Sequence, residues 1–230
     1  MSDRMLDQVK VVALDLDGTL VDTAPDLAGA VNKMLNSLGL STLPIAEVVQ
    51  MVGDGTEMLV RRAVTKSLGH PPSADVFELA MDQFNAKYAT QVFAESRVYP
   101  GVPETLRALS SSGHFLAVIT NKPIRFSIPL LNRAGLAEYF GRFLCATSSL
   151  DRKPSPAMIQ DLCRHLGLRA SELLLVGDSR QDIEAARAAG CRVVGATYGY
   201  GAEDVIRGCE PDGVITAITE LTELKMQANS

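Results

Sequence analysis

Short apolar runs recur along the chain, and each of the first three ends in a polar cluster. Residues 9–14, broken only by Lys10, run up to Asp15; residues 115–120 run up to Thr120 and Asn121; residues 173–176 stop at Gly177 and Asp178. Two more runs follow at 192–197 and 213–215. Runs this short and apolar on both sides suit strands buried on two faces of a parallel sheet. Between them, residues 102–111, 124–134, 156–166 and 181–189 carry a helical pattern. The alternation predicts an α/β fold with a doubly wound parallel sheet. In such sheets ligands bind beyond the carboxyl ends of the strands, where these polar clusters lie.

Residues 24–96 break the alternation. No strand pattern occurs there, and helices are predicted at 24–38, 45–52, 57–68 and 73–93. Asp22 or Thr23 is a plausible cap for the first, with Pro25 in its opening turn. The loop Gly53-Asp54-Gly55 separates the second from the third, and Tyr99-Pro100-Gly101 marks the return to the sheet. The expected organisation is an α/β core domain from residues 1–22 and 97–230, with a small inserted helical domain, 23–96, over the strand ends.

Composition narrows the field. A chain of 230 residues has room for a sizeable core, and 47 % apolar with 21 % charged residues is a globular balance. A net charge of −5 argues against a nucleic-acid partner or an anionic membrane surface. No stretch approaches the roughly 18 apolar residues of a membrane helix, and Asp15 and Asp17 interrupt the first apolar run, so it is no signal-peptide core. Cys145, Cys163, Cys191 and Cys209 form no C-x-x-C, and the three histidines are far apart. The cysteines read as reduced thiols of a cytoplasmic protein, or as small buried hydrophobes.

Asp15-Leu16-Asp17-Gly18-Thr19 closes the first predicted strand. Two acids one residue apart would face opposite ways if the strand continued, but Gly18 lets the chain turn and bring both to one cavity. Crowded carboxylates need a cation or a proton; one can act as a covalent nucleophile and its neighbour as general acid and base. Asp178 stands at the end of another strand, and Asp182 lies on the same face of the following helical turn, where a capping role is the plain alternative. Asp15, a carbonyl from Asp17 and Asp178 would make an oxygen-rich site suited to Mg²⁺. Thr120 and Asn121 offer donors for phosphate oxygens. Lys153, ahead of Pro154, offers a point charge for a phosphoryl group, unless it is simply a solvated surface lysine.

With Asp15-Leu16-Asp17-Gly18-Thr19, Thr120, Lys153 and Gly177-Asp178-Ser179-Arg180-Gln181-Asp182 in this order, the chain resembles the haloacid dehalogenase superfamily of phosphatases over nearly its whole length. The resemblance implies a Rossmann-like core with a helical cap. Longer stretches, including Lys153-Pro154-Ser155-Pro156 and Tyr198-Gly199-Tyr200-Gly201, look like the superfamily's bacterial phosphoglycolate phosphatases. It further implies a Mg²⁺-dependent phosphomonoesterase acting on 2-phosphoglycolate, with sugar-phosphate phosphatases and a phosphomutase of the β-phosphoglucomutase type as alternatives. In that scheme Asp15 attacks phosphorus and forms an aspartyl-phosphate, and Asp17 protonates the leaving alkoxide and then activates water. Asp15, the Asp17 carbonyl and Asp178 hold the metal, while Thr120 and Lys153 neutralise the transferring oxygens. Asp182 orients a metal-bound water or Lys153, and Asn121 binds phosphate or supports its binding from behind. The expected partner is a small phosphomonoester, with neither nucleic acid nor membrane; oligomeric state is not legible.

Substrate choice is expected in the cap, at Gly53, Asp54 and Gly55. The family often has an uncharged residue where this chain has Asp54, and an acid there repels a substrate carboxylate unless paired. Arg61, Arg62, Lys66 and Arg125 are candidate counter-charges, with a solvated helix face as the plain reading of the arginines.

Overall fold

Val11–Leu14 forms β1, buried along its whole length. A parallel neighbour lies on each side, β4 (Phe115–Thr120) on one and β6 (Leu173–Gly177) on the other. The sheet continues outward through β5 (Arg142–Cys145) beyond β4, and through β7 (Arg192–Ala196) and β8 (Gly213–Ile215) beyond β6. The order β5-β4-β1-β6-β7-β8 is parallel throughout. The chain winds away from β1 in one direction and then resumes on its other side, so the crevice of a doubly wound sheet opens at the carboxyl end of β1. The computed structural model describes residues 5–225; the outermost ends of the expected core segments, 1–4 and 226–230, lie outside them.

Helices cover both faces, which is why the strands read as unbroken apolar runs. They are α5 (Val102–Ser111), α6 (Ile124–Arg133), α7 (Ala157–Leu166), α8 (Arg180–Ala189) and α9 (Glu203–Gly208). Val12 and Leu14 join the apolar cluster on one face, and Val11 and Ala13 pack with Ile159, Leu162 and Ile183 on the other.

The chain leaves and re-enters this framework through an antiparallel pair, β2 (Val21–Asp22) and β3 (Arg97–Val98). Between them lie α1 (Ala24–Ser37), α2 (Ile45–Val49), α3 (Thr56–Leu68) and α4 (Ala74–Gln91). The predicted helix at 45–52 thus stops at Val49, and that at 73–93 is shorter at both ends. Helices α1 and α4 pack on each other, and the ring of Tyr88 meets Phe126 of α6 edge-on at 4.9 Å between centroids, so the apolar core runs on beneath the sheet's helices. Asp26 ties the two crossings together. Its buried carboxylate accepts from the N–H groups of Ala94, Glu95 and Ser96 at 2.9, 2.9 and 3.0 Å and from Ser96 Oγ at 2.5 Å. Among the described residues no helix is long and apolar enough to cross a membrane.

Candidate active site

The sheet ladder extends one residue past β1, because the Asp15 N–H donates to the Val176 carbonyl at 2.9 Å. The chain then turns through Gly18, whose φ is +83°, and the Gly18 N–H donates to the Val21 carbonyl at 2.9 Å. A Cβ on Gly18 would sit 2.2 Å from Asp178 Oδ2, so no other residue allows this turn to press against Asp178. The result is the expected convergence: Asp15 and Asp17 face one cavity of about 30 Å³, together with Thr120, Lys122 and the loop residues Gly53 and Gly55.

Lys153 arrives from farther off, after the loop 146–152 that follows β5, and is buried rather than solvated. Its ammonium donates to the Ile119 carbonyl at 2.9 Å and to Asp182 Oδ1 at 2.5 Å, and lies 3.0 Å from Asp15 Oδ1. Asp182 fills both roles open to it. Its Oδ2 accepts from Ser179 N–H and Oγ at 3.1 and 2.5 Å, capping α8, while Oδ1 holds Lys153. Asn121 supports this arrangement. Its Oδ1 accepts from the Lys153 N–H at 2.7 Å, and its Nδ2 donates to the carbonyls of Lys153 and Gly53 at 3.0 and 2.8 Å. Both amide hydrogens are thereby used within the protein, so the side chain positions Lys153 and the loop and has no donor left for a phosphate.

Asp178 is fixed by Thr19 Oγ1 at 2.8 Å and by the Tyr200 N–H at 2.7 Å. The loop carrying Tyr200 lies so close that a Cβ on Gly201 would fall 2.0 Å from the Asp178 carbonyl oxygen. The Tyr200 hydroxyl accepts from the N–H groups of Thr23 and Ala24 at 2.6 and 2.9 Å and donates to Asp22 Oδ1 at 2.9 Å. It shares the capping of α1 with the expected Asp22, whose Oδ1 accepts from the Ala24 N–H at 3.2 Å; Thr23 stands at the N-cap position, but its Oγ1 donates to Asp17 Oδ1 at 2.6 Å.

Lys122 was not among the expected site residues. Its side chain is 3 % exposed, and its ammonium donates to both oxygens of Asp17, at 2.9 and 3.1 Å. The signal was present: Lys122-Pro123 repeats the dipeptide Lys153-Pro154 beside Thr120 and Asn121. Thr19, Thr23 and Tyr200 stood in marked stretches of the sequence, but their contacts to Asp178 and Asp17 were not legible there, because those partners are brought up only by the fold.

Electrostatics set the character of the site. Burial pushes the Asp15 carboxyl up to about 6, against the pull of Lys153. Burial, then the charges of Asp15 and Asp182, push Asp178 up to about 8. Burial works against the charge on Lys153, but Asp15 and Asp182 outweigh it and hold the ammonium above the ordinary lysine range. Asp15, Asp178 and Asp182 each offer a carboxylate oxygen, all within 4.8 Å of one another. Asp15 Oδ1 is buried and receives no well-directed hydrogen bond, despite its nearness to Lys153. An uncompensated oxygen in a hard-oxygen cluster fits a divalent cation. Asp182 is tied to Lys153 and by two bonds to Ser179, whereas each Asp178 oxygen accepts a single hydrogen bond and keeps a lone pair, so Asp15 and Asp178 are the carboxylates best placed to hold it.

The loop 52–56 is fastened to the sheet side of the crevice. Besides Asn121 on the Gly53 carbonyl, Gln181 Nε2 of α8 donates to Asp54 Oδ1 at 2.6 Å, and Arg152 pairs with Glu57 at 3.1 Å. Of the four candidate counter-charges only Arg62 meets Asp54, as an ion pair. Arg61 stacks 3.8 Å over the Phe77 ring, Lys66 pairs with Glu47 at 3.4 Å, and Arg125 donates to Asn85 at 2.9 Å.

Comparison with known proteins followed the same lines. The family model for haloacid dehalogenase-like hydrolases matches residues 12–196. The phosphoglycolate phosphatase of Nitrosospira multiformis is 39 % identical over 216 residues, covering 94 % of this chain and 95 % of its own length. That of Pectobacterium atrosepticum is 40 % identical over 219 residues, covering 95 % and 93 %. A crystal structure from Haemophilus somnus 129pt, described as a predicted phosphoglycolate phosphatase, superposes with a TM-score of 0.89 at 38 % identity, covering 94 % of this chain and 97 % of that one.

Proposed function

This chain belongs to the haloacid dehalogenase-like hydrolases and is a phosphoric monoester hydrolase, and on that premise we propose that it hydrolyses 2-phosphoglycolate to glycolate and phosphate. The observation that carries this reading is Asp15, which lines the cavity shared with Asp17 and Thr120 and whose Oδ1 is a buried carboxylate oxygen without a directed hydrogen bond. An oxygen so placed suits a nucleophile. The names of the relatives point the same way.

In this scheme residues 23–96 act as a cap over the core formed by 1–22 and 97–230. A carboxylate oxygen of Asp15 attacks phosphorus, and the bond from phosphorus to the glycolate oxygen breaks. Asp17 gives its proton to that departing oxygen. Asp17 then takes a proton from water, the water oxygen attacks phosphorus, and the bond to Asp15 breaks to release inorganic phosphate. Thr120 and Lys153 meet the negative charge on the transferring oxygens. Mg²⁺, held by Asp15, the Asp17 carbonyl and Asp178, would supply further charge neutralisation and hold the phosphoryl group in place. The four cysteines are free, which accords with a reducing, cytoplasmic setting.

The test is phosphate release from 2-phosphoglycolate, several sugar phosphates and an aryl phosphate, with and without Mg²⁺. The reading expects kcat/KM to be far highest for 2-phosphoglycolate and to vanish on chelation. Equal rates across the panel would remove the substrate, and full activity in chelator would remove the metal.

A further inference from the structure

A substrate with a carboxylate two atoms from its phosphate oxygen brings a second anion into a cavity already lined by Asp15 and Asp17. Repulsion from two carboxylates at close range has to be met by a cation. The cap supplies none at the cavity wall. Arg62 is held by Asp54, and Arg61, Lys66 and Arg125 have partners elsewhere. On the core side there are two lysines. An ammonium has three donors; Lys153 gives one to Ile119 and one to Asp182 and pairs with Asp15 at 3.0 Å, which commits it to the phosphoryl end of the site.

Lys122 is different. It lines the cavity, and its ammonium has one carboxylate as its oxygen partner, Asp17. The other side of the ammonium faces the ring of Tyr88 from α4, 4.7 Å from the ring centroid. The Tyr88 hydroxyl is buried and has no well-formed hydrogen bond among the described residues. A buried ammonium on the cavity wall, whose carboxylate contacts all go to Asp17 and whose remaining side is turned to Tyr88, is suited to taking a substrate carboxylate as a second anionic partner.

We propose that Lys122 is the specificity-determining residue of this enzyme, binding the carboxylate of the substrate while its phosphate lies between Asp15 and Lys153. This rests on the reading of the substrate as 2-phosphoglycolate. The charge is delivered by the core strand β4 through the turn at Thr120–Lys122, and the cap contributes the Tyr88 ring that walls it in. Asp54, the departure from the family pattern, is then no obstacle: it is neutralised by Arg62 and serves to hold the loop on Gln181.

The experiment compares 2-phosphoglycolate with ethyl phosphate, which has the same two-carbon skeleton and lacks the carboxylate oxygens, in wild type, Lys122→Met and Lys122→Arg. Because Lys122 also holds Asp17, absolute rates fall for both substrates, and the readout is the ratio of the two kcat/KM values. Losing the cationic partner of a buried carboxylate should lower that ratio by about 30-fold or more in Lys122→Met. Lys122→Arg, which keeps the charge, should retain most of the ratio even if Lys122→Met folds poorly. A wild type that prefers 2-phosphoglycolate, with a ratio unchanged in both variants, overturns the inference and leaves the proposed function standing. A wild type that does not prefer it overturns the substrate reading, and this inference with it.

Discussion

The hydroxyl of Tyr200 stands 2.6 Å from the backbone nitrogen of Thr23, so a residue of the loop after β7 caps the first helix of the cap. Its own N–H binds Asp178, which places one residue between the acidic cluster and the point where the chain crosses into the helical segment. Tyr200→Phe keeps the N–H contact and removes the hydroxyl's share of the cap. It is expected to cost about 1–2 kcal/mol, read from urea denaturation midpoints at constant slope. No change would mean that water replaces the hydroxyl at no loss.

Asp26 is the anchor of the second crossing, with four donors converging on one buried carboxylate. Asp26→Ala leaves three backbone N–H groups without partners. A loss of about 3–5 kcal/mol is expected, with thermal unfolding as the check. A loss below about 1 kcal/mol would show that the segment 94–96 finds other acceptors.

Asp15→Asn preserves shape and removes the proposed nucleophile. Phosphate release should drop below detection while the melting temperature holds or rises, because the carboxylate replaced is buried and repelled by Asp182. Residual turnover near the wild-type rate would exclude Asp15 as the attacking group.

Folding raises the carboxyls of Asp15 and Asp178, to about 6 and about 8. Below about pH 4 both are protonated in folded and unfolded chains alike, and folding loses nothing through them. As pH climbs from about 4 to about 8 the unfolded chain is ionised while the folded one resists ionisation, so stability declines across that window. A divalent cation on these carboxylates offsets the decline. The gain in melting temperature on adding Mg²⁺ should therefore be larger at pH 8 than at pH 5.5; equal gains at both would detach the metal from these two groups.

Gly55 has φ of +83°, and a Cβ there would lie 3.1 Å from Arg152 Nε and 3.2 Å from the Asn121 carbonyl oxygen. Gly55→Val forces the loop off the crevice. Both kcat and KM should worsen, with kcat/KM down on the order of 10²-fold. Unaltered kinetics would take the loop 52–56 out of the working site.

What could be read from the sequence followed from chemistry that is local in the chain. The buried strands announced themselves because both their faces are apolar, and Asp15, Thr120 and Asp178 because they end such runs. β5 stayed hidden since Arg142, Phe143 and Leu144 at the sheet edge are not fully buried, and β2 and β3 are too short to show any period. Arg62 could be named only as one of four counter-charges, because nothing in the sequence tells which cation folds back on Asp54. Lys122 looked like an ordinary turn lysine until β1 and β4 were set side by side.

The central position of β1 has a consequence for biosynthesis. The strand that leads into Asp15 is made before both of its partners, β4 and β6, which end at Thr120 and Gly177. A nascent chain that stops short of β6 has Asp15 without Asp178 and with open strand edges on one or both sides. The candidate site is therefore incomplete until β6 has been made, and those open edges are surfaces open to wrong pairing until the later strands arrive.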